Sequence, residues 1–306
     1  MQPTPASAQT LDMTQALPAG EIATWDKGEI PLFVRMPQRR LPQPGVPTVP
    51  RGVLVSIHGN NRQAAVHALR FSELAHQHDL VLIAPSFARA EHPHFQRLAR
   101  NVDAALTRTI QDLLEAHGVP HTAWLWFGHS AGAQFVHRYT YRHPERVLRA
   151  ALSAAGWYTL PDATLRFPYG LAGFTGQAPM QEVLAVPQRV FIGGQDVHSG
   201  DALRREPALD LRQGETRLDR ARSFVREMRE AARTHTVTPG VSLRELRGAG
   251  HDFDANMHHT PLGRQVLHFL LGDAPAAPTI TAEGGVWSRR TESCACTEPC
   301  PRTDSS

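Results

Sequence analysis

Short, almost continuously apolar segments alternate along the chain with longer amphipathic ones. The apolar segments are rich in β-branched side chains, as buried strands are, and they cover residues 52–57, 80–84, 123–127, 147–154, 189–192 and 241–246. The amphipathic segments predict helices over residues 62–78, 102–117, 131–142, 215–234 and 261–271. This alternation predicts an α/β fold, with a mainly parallel twisted sheet that is covered by helices on both faces.

Three segments depart from the alternation. Residues 1–20 are rich in Pro, Ala and Gln and predict an irregular leader, after which residues 21–25 and 30–35 predict a pair of edge strands. Residues 156–187 are rich in aromatic residues and prolines, and they are too long for an ordinary connection, so we expect a lid-like excursion over an active-site mouth. Residues 273–306 predict a poorly ordered tail, which leaves one catalytic domain over residues 21–272.

Composition and charge exclude several classes of protein. A chain of 306 residues with 41% hydrophobic content can bury a sizeable core. The net charge of +3 comes from interspersed charges with no long basic block, so we expect no binding to nucleic acid. No segment has the roughly 18–20 uninterrupted apolar residues of a membrane span. The chain begins without a secretory signal pattern, so a cytoplasmic location is expected, a secreted mature form stays open, and the oligomeric state stays unknown.

All three cysteines, Cys294, Cys296 and Cys300, lie in the predicted tail. The body of the protein therefore needs no disulfide and has no cysteine nucleophile. These thiols could hold a soft metal or cross-link chains, but three thiols in a flexible tail more often have no specific role.

A G-x-S-x-G pentapeptide, Gly128 to Gly132, stands where the strand at 123–127 gives way to the helix at 131–142. This is the setting of a nucleophile elbow, in which a strained turn exposes the serine and bulkier side chains two residues to either side would collide with the neighbouring strand and helix. Ser130 is the candidate nucleophile, and the alternative is a turn serine without a chemical role.

A serine nucleophile requires a base and an acid that orients the base. Asp196 and His251 follow the strands at 189–192 and 241–246. Together with Ser130 they stand in the order Ser, Asp, His, which is the chain order of the catalytic residues in α/β folds that carry a nucleophile elbow. Asp201 and Asp252 remain alternatives for the acid.

The reaction also requires donors for an oxyanion, and two backbone amides are suitably placed. Ala131 directly follows the serine, and Asn60 lies in the loop after the strand at 52–57. Four aromatic residues after the strand at 147–154 either line an acyl or aryl pocket or pack beneath the excursion: Trp157, Tyr158, Phe167 and Tyr169.

Acidic and histidine side chains near residue 251 could also be interpreted as a metal-binding site. The residues concerned lack any recognised zinc spacing: His251, Asp252, Asp254, His258 and His259. We therefore expect no metal, and the serine mechanism requires no cofactor.

The motifs resemble those of the α/β-hydrolase superfamily over roughly residues 21–272. They are H-G-N at 58–60, G-H-S-A-G at 128–132, G-G-Q-D at 193–196 and G-A-G-H-D at 248–252. The segment HRYTYRHPERV at 137–147 is similar to the branch that contains polyhydroxybutyrate depolymerases and feruloyl or acetylxylan esterases. That branch often carries a cysteine after H-G, where this chain has Asn60, so its polymer or feruloyl specificity does not carry over.

Together these features predict a serine esterase that acts on a small or polymeric ester. The same residues could instead cleave an amide or peptide, or transfer an acyl group. A binding module that has lost catalysis is an alternative of another class. Such a protein would be expected to lack at least one of the candidate catalytic residues, and here all of them are present.

Overall fold

A computed structural model describes residues 17, 20–38, 49–197 and 203–272. The strands are β1 (Ile22–Trp25), β2 (Leu32–Arg35), β3 (Gly52–Ile57), β4 (Leu80–Pro85), β5 (Trp124–His129), β6 (Val147–Ser153), β7 (Gln188–Gly193) and β8 (Val241–Leu246). The helices are α1 (Ala64–Gln77), α2 (Val102–Ala116), α3 (Ala131–Arg142), α4 (Met180–Ala185), α5 (Pro207–Gln213), α6 (Arg217–Thr234), α7 (Phe253–His259) and α8 (Leu262–Leu271). Short 3₁₀ turns cover Phe95–Arg97, Ala99–Asn101 and Pro144–Arg146.

The eight strands form one sheet in the order β1-β2-β4-β3-β5-β6-β7-β8. Strands β1 and β2 are the predicted edge pair, and they join β4 by antiparallel pairing. All other neighbours pair in parallel. The predicted mainly parallel sheet is therefore confirmed, and the loops after β3, β5, β7 and β8 all leave from the same edge.

Helices cover both faces of the sheet because successive strand residues point to opposite sides. In β5, Trp124 and Trp126 face one cluster, to which α2, α3 and α6 contribute, whereas Leu125 and Phe127 face another, to which α1, α7 and α8 contribute. Both faces of the central strands are therefore buried away from solvent, which explains why the sequences of these strands are continuously apolar.

Three short helices of six or seven residues, α4, α5 and α7, interrupt segments for which the sequence predicted no helix. The first of them lies inside the predicted excursion at 156–187. None of the helices in the described part of the chain is long and apolar enough to cross a membrane.

Candidate active site

Ser130 occupies a strained turn between β5 and α3. Its backbone angles are φ 54° and ψ −113°, a combination that side-chain-bearing residues rarely adopt. The serine is half-buried, and its own amide donates to the carbonyl of Ser153 on β6 at 2.8 Å. The turn therefore holds the side chain at the carboxyl edge of the sheet, at the amino end of a twelve-residue helix whose dipole favours a nearby negative charge.

The two glycines of the pentapeptide allow this turn because the backbone of neighbouring elements comes very close to them. A Cβ atom on Gly128 would lie 2.4 Å from the carbonyl oxygen of Gly132, in α3. A Cβ atom on Gly132 would lie 2.1 Å from the carbonyl oxygen of Ile57, at the end of β3. The predicted reason for glycine at both positions, a collision with the adjacent helix and strand, is confirmed.

We expect Gly132→Ala to lower the free energy of unfolding by about 3 kcal/mol, because strand β3 or helix α3 must shift to admit the methyl group. Helix propensity alone would favour the alanine by about 1 kcal/mol, so the sign of the change separates the two effects. Urea unfolding measures it. Gly250→Ala is the matched control, since a Cβ atom at Gly250 would meet nothing within 4 Å. Equal stability of the two variants would contradict the close packing of the elbow.

Asp196 and His251 are in direct contact. The Nδ1 atom of His251 lies 2.9 Å from Oδ2 of Asp196. The other carboxylate oxygen, Oδ1, accepts from Nη1 of Arg217 at 3.2 Å. The side chain of Asp196 is 3% exposed and that of His251 is 33% exposed. A buried carboxylate that is held on both oxygens can fix the tautomer and orientation of the imidazole.

Arg217, the first residue of α6, is a member of this site that the sequence did not identify. Its side chain is buried against Asp196. A charged residue at the start of an amphipathic helix normally indicates a solvated position, so the sequence contained no signal for this contact.

Backbone hydrogen bonds fasten the loops that carry Asp196 and His251 to each other. The amide of Gly194 donates to the carbonyl of Leu246 at 2.9 Å, and that of Gln195 donates to the carbonyl of Ala249 at 3.0 Å. Asp252 then caps α7 by accepting from the amide of Ala255 at 2.7 Å. The acid and the imidazole are thus carried by two loops that are locked together at the sheet edge.

His251 also lies beside the elbow. Its ring centroid is 5.1 Å from that of His129, the residue before Ser130. The Nδ1 atom of His129 lies 3.2 Å from the hydroxyl of Ser153, which fixes that ring in turn. Within the described residues the Ser130 hydroxyl makes no hydrogen bond, to His251 or to any other group. Catalytic hydrogen bonds are often long or misaligned in the absence of substrate.

The loop after β3 lies against the elbow. A Cβ atom on Gly59 would be 3.5 Å from the Cβ atom of Ser130. In the described part of the chain, neither the amide of Asn60 nor that of Ala131 donates a hydrogen bond. Both donors are therefore free for a ligand at this place.

Two side chains hold this loop in shape. His58 contacts the carbonyl of Gly59 through Nδ1 at 2.8 Å, and its Nε2 accepts from the amide of Phe87 at 3.2 Å. Arg62 donates to the carbonyls of Phe87, His92 and Pro93 at 2.6–3.2 Å. The loop that carries Asn60 is thus tied to the segment after β4.

Four histidines in and behind the site are buried: His58, His67, His129 and His137. Burial lowers the pKa of His58 to about 4 and holds the pKa values of the other three well below the usual range. These imidazoles are therefore neutral in the folded protein at neutral pH.

This neutrality predicts a loss of stability in mild acid. An unfolded histidine titrates near pH 6.5, so below that pH the unfolded chain binds more protons than the folded one. We expect the free energy of unfolding to fall as pH drops from about 6.5 towards 4, by up to about 1.4 kcal/mol per pH unit for each imidazole. Urea unfolding at pH 7.0 and pH 5.5 measures the difference. A flat profile across this window would mean that the folded protein holds these rings protonated.

The four aromatic pocket candidates occupy different environments. Tyr158 is 0% exposed and its ring stacks on Phe224 of α6, with centroids 4.3 Å apart. Of the two alternatives for Tyr158, this burial supports packing in the core rather than lining a pocket. Phe167 is half-buried and stacks on Phe174 with a centroid distance of 5.1 Å.

Trp157 and Tyr169 lie near each other, with ring centroids 6.4 Å apart. The hydroxyl of Tyr169 donates to Glu206 at 2.6 Å, and burial together with this hydrogen bond raises the pKa of Tyr169 to about 12. Trp157 lies in the loop after β6, which leaves from the same edge of the sheet as the turn at Ser130. Pocket roles for Trp157, Phe167 and Tyr169 stay predictions.

Other candidate residues are accounted for or lie elsewhere. Asp201, the alternative acid, and the three tail cysteines lie outside the described residues. Asp254 is paired with Arg70 on α1. No three His, Cys, Asp or Glu side chains within the described ranges are grouped so that they could hold a metal ion.

The sequence matches none of the protein-family models and none of the curated proteins with which it was compared. Among solved structures it is similar to poly(aspartic acid) hydrolase-1 from Sphingomonas sp. KT-1, with a TM-score of 0.69 and 23% identity over 80% of this chain and 97% of that chain. It is also similar to LpqC, a poly(3-hydroxybutyrate) depolymerase from Bordetella parapertussis, with a TM-score of 0.67 and 28% identity over 84% of this chain and 92% of that chain. The chain has the α/β-hydrolase fold. The resemblance to the α/β-hydrolase superfamily that the sequence motifs indicated is therefore confirmed.

Proposed function

We propose that this chain of the α/β-hydrolase fold is a serine hydrolase that cleaves carboxylic esters through an acyl-enzyme intermediate. One observation carries the proposal: a buried Asp196 holds His251 through a 2.9 Å hydrogen bond, beside a serine in a strained turn. This combination is the activated-nucleophile arrangement of acyl transfer.

In the proposed reaction Ser130 attacks the ester carbonyl while Nε2 of His251 accepts the hydroxyl proton. Asp196 keeps the proton on Nδ1 and stabilises the imidazolium that forms. The imidazolium then donates its proton to the leaving alcohol, and water hydrolyses the acyl-enzyme by the same steps in reverse order. The first step requires a hydrogen bond between the Ser130 hydroxyl and Nε2 of His251.

The amides of Ala131 and Asn60 are the proposed oxyanion donors. Both lack acceptors within the described chain, and Gly59 brings their two segments together at the serine. Each donor of this kind is worth about 3 kcal/mol of the barrier. The mechanism requires no metal or cofactor.

The two similar structures suggest two substrate classes. One is a poly(3-hydroxybutyrate) depolymerase and therefore acts on a polyester, which supports a small or polymeric ester as the substrate here. The other is a poly(aspartic acid) hydrolase and therefore acts on a polyamide, which keeps amide hydrolysis as a second candidate.

A fluorophosphonate probe tests the proposal. It should label the wild-type protein and the control variant Ser72→Ala, whose serine lies on α1 away from the elbow, but not Ser130→Ala. Absence of labelling in the wild type would overturn the proposal and favour a binding module. 4-Nitrophenyl esters compared with the matching anilides then separate esterase from amidase action.

A further inference from the structure

Arg138 is a buried arginine without a carboxylate partner. It lies on α3, two turns after Ser130, and is 0% exposed. Its Nε donates to the hydroxyl of Thr159 at 2.8 Å, and Nη1 donates to the side chain of Gln134 at 3.2 Å and to the carbonyl of Gln96. Its Nη2 has no hydrogen-bond partner in the described part of the chain.

The positive charge of Arg138 is poorly compensated. Burial, together with the nearby charge of Arg97, lowers the pKa of this guanidinium to about 9. By contrast, the buried Arg220 faces Asp210. Burying a charge without a counter-ion is costly, so a negative group brought to this place would be favoured.

Two other buried donors beside Arg138 also lack acceptors among the described residues. They are Nε of Arg97 and Nε1 of Trp157, whose ring lies 5.9 Å from the guanidinium of Arg138. One acceptor, Oε1 of Gln96, is unpartnered as well, and rotation of that amide would present its NH₂ group instead. A group of donors without acceptors suits an acceptor-only ligand, and a carboxylate is such a ligand.

A third guanidinium, that of Arg204, lies 5.6 Å from the rings of Trp157 and Tyr169. We call Arg97, Arg138 and Arg204 the arginine cluster. The carboxylate of Glu206 joins them by pairing with Arg204. Three positive charges against this one negative charge leave an excess of two positive charges around the two rings.

The arginine cluster is close to the nucleophile. Gln134, which accepts from Arg138, lies one helical turn after Ser130. A Cβ atom on Gly156, the residue before Trp157, would be 3.2 Å from Nε2 of Gln134. The cluster therefore lies at the same edge of the sheet as the serine, on the side of β6.

We propose that the arginine cluster and Trp157 form a subsite for a carboxylate of the substrate, so that the preferred esters carry a free carboxylate near the scissile carbonyl. This inference rests on the proposed hydrolase function. Arg97, which is partly exposed, meets the carboxylate, while Arg138 adds a fixed positive charge from the buried side. Monoesters of dicarboxylic acids and acidic polyester fragments are the substrate class that fits.

Matched pairs of esters test the subsite. One pair is mono-4-nitrophenyl adipate and its methyl ester, with the charge on the acyl side. The other is 4-acetoxybenzoate and its methyl ester, with the charge on the leaving group. After division by the rate of alkaline hydrolysis, we expect kcat/KM to favour the charged member of at least one pair by about tenfold. A ratio of one or less in both pairs would overturn the subsite.

Variants then locate the preference. Arg97→Gln should reduce the charged-to-neutral ratio about tenfold, and Arg97→Lys should restore part of it. Glu206→Gln should raise the ratio, because it removes the negative charge from the cluster. Arg222→Gln, at an exposed arginine of α6 that pairs with Glu245, is the control and should keep the wild-type ratio. An unchanged ratio in Arg97→Gln would contradict the assignment.

Calorimetry with adipate separates this inference from the proposed function, because binding needs no turnover. Ser130→Ala should bind adipate and not the neutral adipamide, and adding Arg97→Gln should weaken that binding about tenfold. Adipate binding without fluorophosphonate labelling of the wild type would leave the subsite standing and remove the hydrolase function. Labelling of Ser130 without adipate binding or ester preference would do the reverse.

Discussion

Ser130→Ala is expected to lower kcat for a 4-nitrophenyl ester by about 10,000-fold or more, because the acyl-enzyme can no longer form. The fold should be unaffected, since the serine hydroxyl has no hydrogen-bond partner within the described chain. The positive φ angle of residue 130 is as unfavourable for alanine as for serine, so stability should change little. Steady-state rates and a thermal melt measure the two effects.

Ser72→Ala on α1 is the control for this change and should keep the wild-type rate. Any residual hydrolysis in Ser130→Ala should show no burst, because no covalent intermediate accumulates. A rate within tenfold of wild type would exclude Ser130 as the nucleophile, whatever the structure of the turn.

Asp196→Asn is the second large effect, and we expect kcat to fall on the order of 1,000- to 10,000-fold. An asparagine can present its NH₂ group to Nδ1 of His251, which would place the imidazole proton on Nε2, where the serine proton has to go. Arg217→Gln should cost much less, about tenfold, since glutamine still offers Asp196 a hydrogen-bond donor. Rates at saturating ester separate the two variants.

Asp210→Asn provides the matched control, because Asp210 also pairs with a buried arginine, Arg220. It should lower stability and leave kcat unchanged. A near-normal rate in Asp196→Asn would transfer the role of the acid to another carboxylate, and Asp201 is the candidate to replace next.

The fold was predictable because each of the long elements carries its own local signal. Helix α3 spans the predicted residues 131–142, since the Gly128 turn starts it and Pro144 prevents its continuation. Strand β8 likewise spans the predicted residues 241–246. By contrast, α4, α5 and α7 have about two turns each, which is too short for a hydrophobic period to emerge.

The site was predictable to the extent that its residues follow strands. The chain order of Ser130, Asp196 and His251 and their places after β5, β7 and β8 could be seen in the sequence. The partner that lies on a helix could not: Arg217 reaches Asp196 only because of how α6 packs. The same limit explains why the sequence did not predict the burial of Tyr158, because that burial depends on Phe224, 66 positions further along the chain.

The fastening of the Asn60 loop by His58 and Arg62 leads to an expectation about the physical state of the substrate in the proposed reaction. An enzyme that assembled its oxyanion donors only on contact with an oil droplet or micelle would accelerate abruptly at that surface. Here the loop that carries the proposed donor Asn60 is already held by hydrogen bonds to the segment after β4. Hydrolysis should thus proceed on single dissolved molecules, and detergent or substrate aggregates should bring no burst of activation.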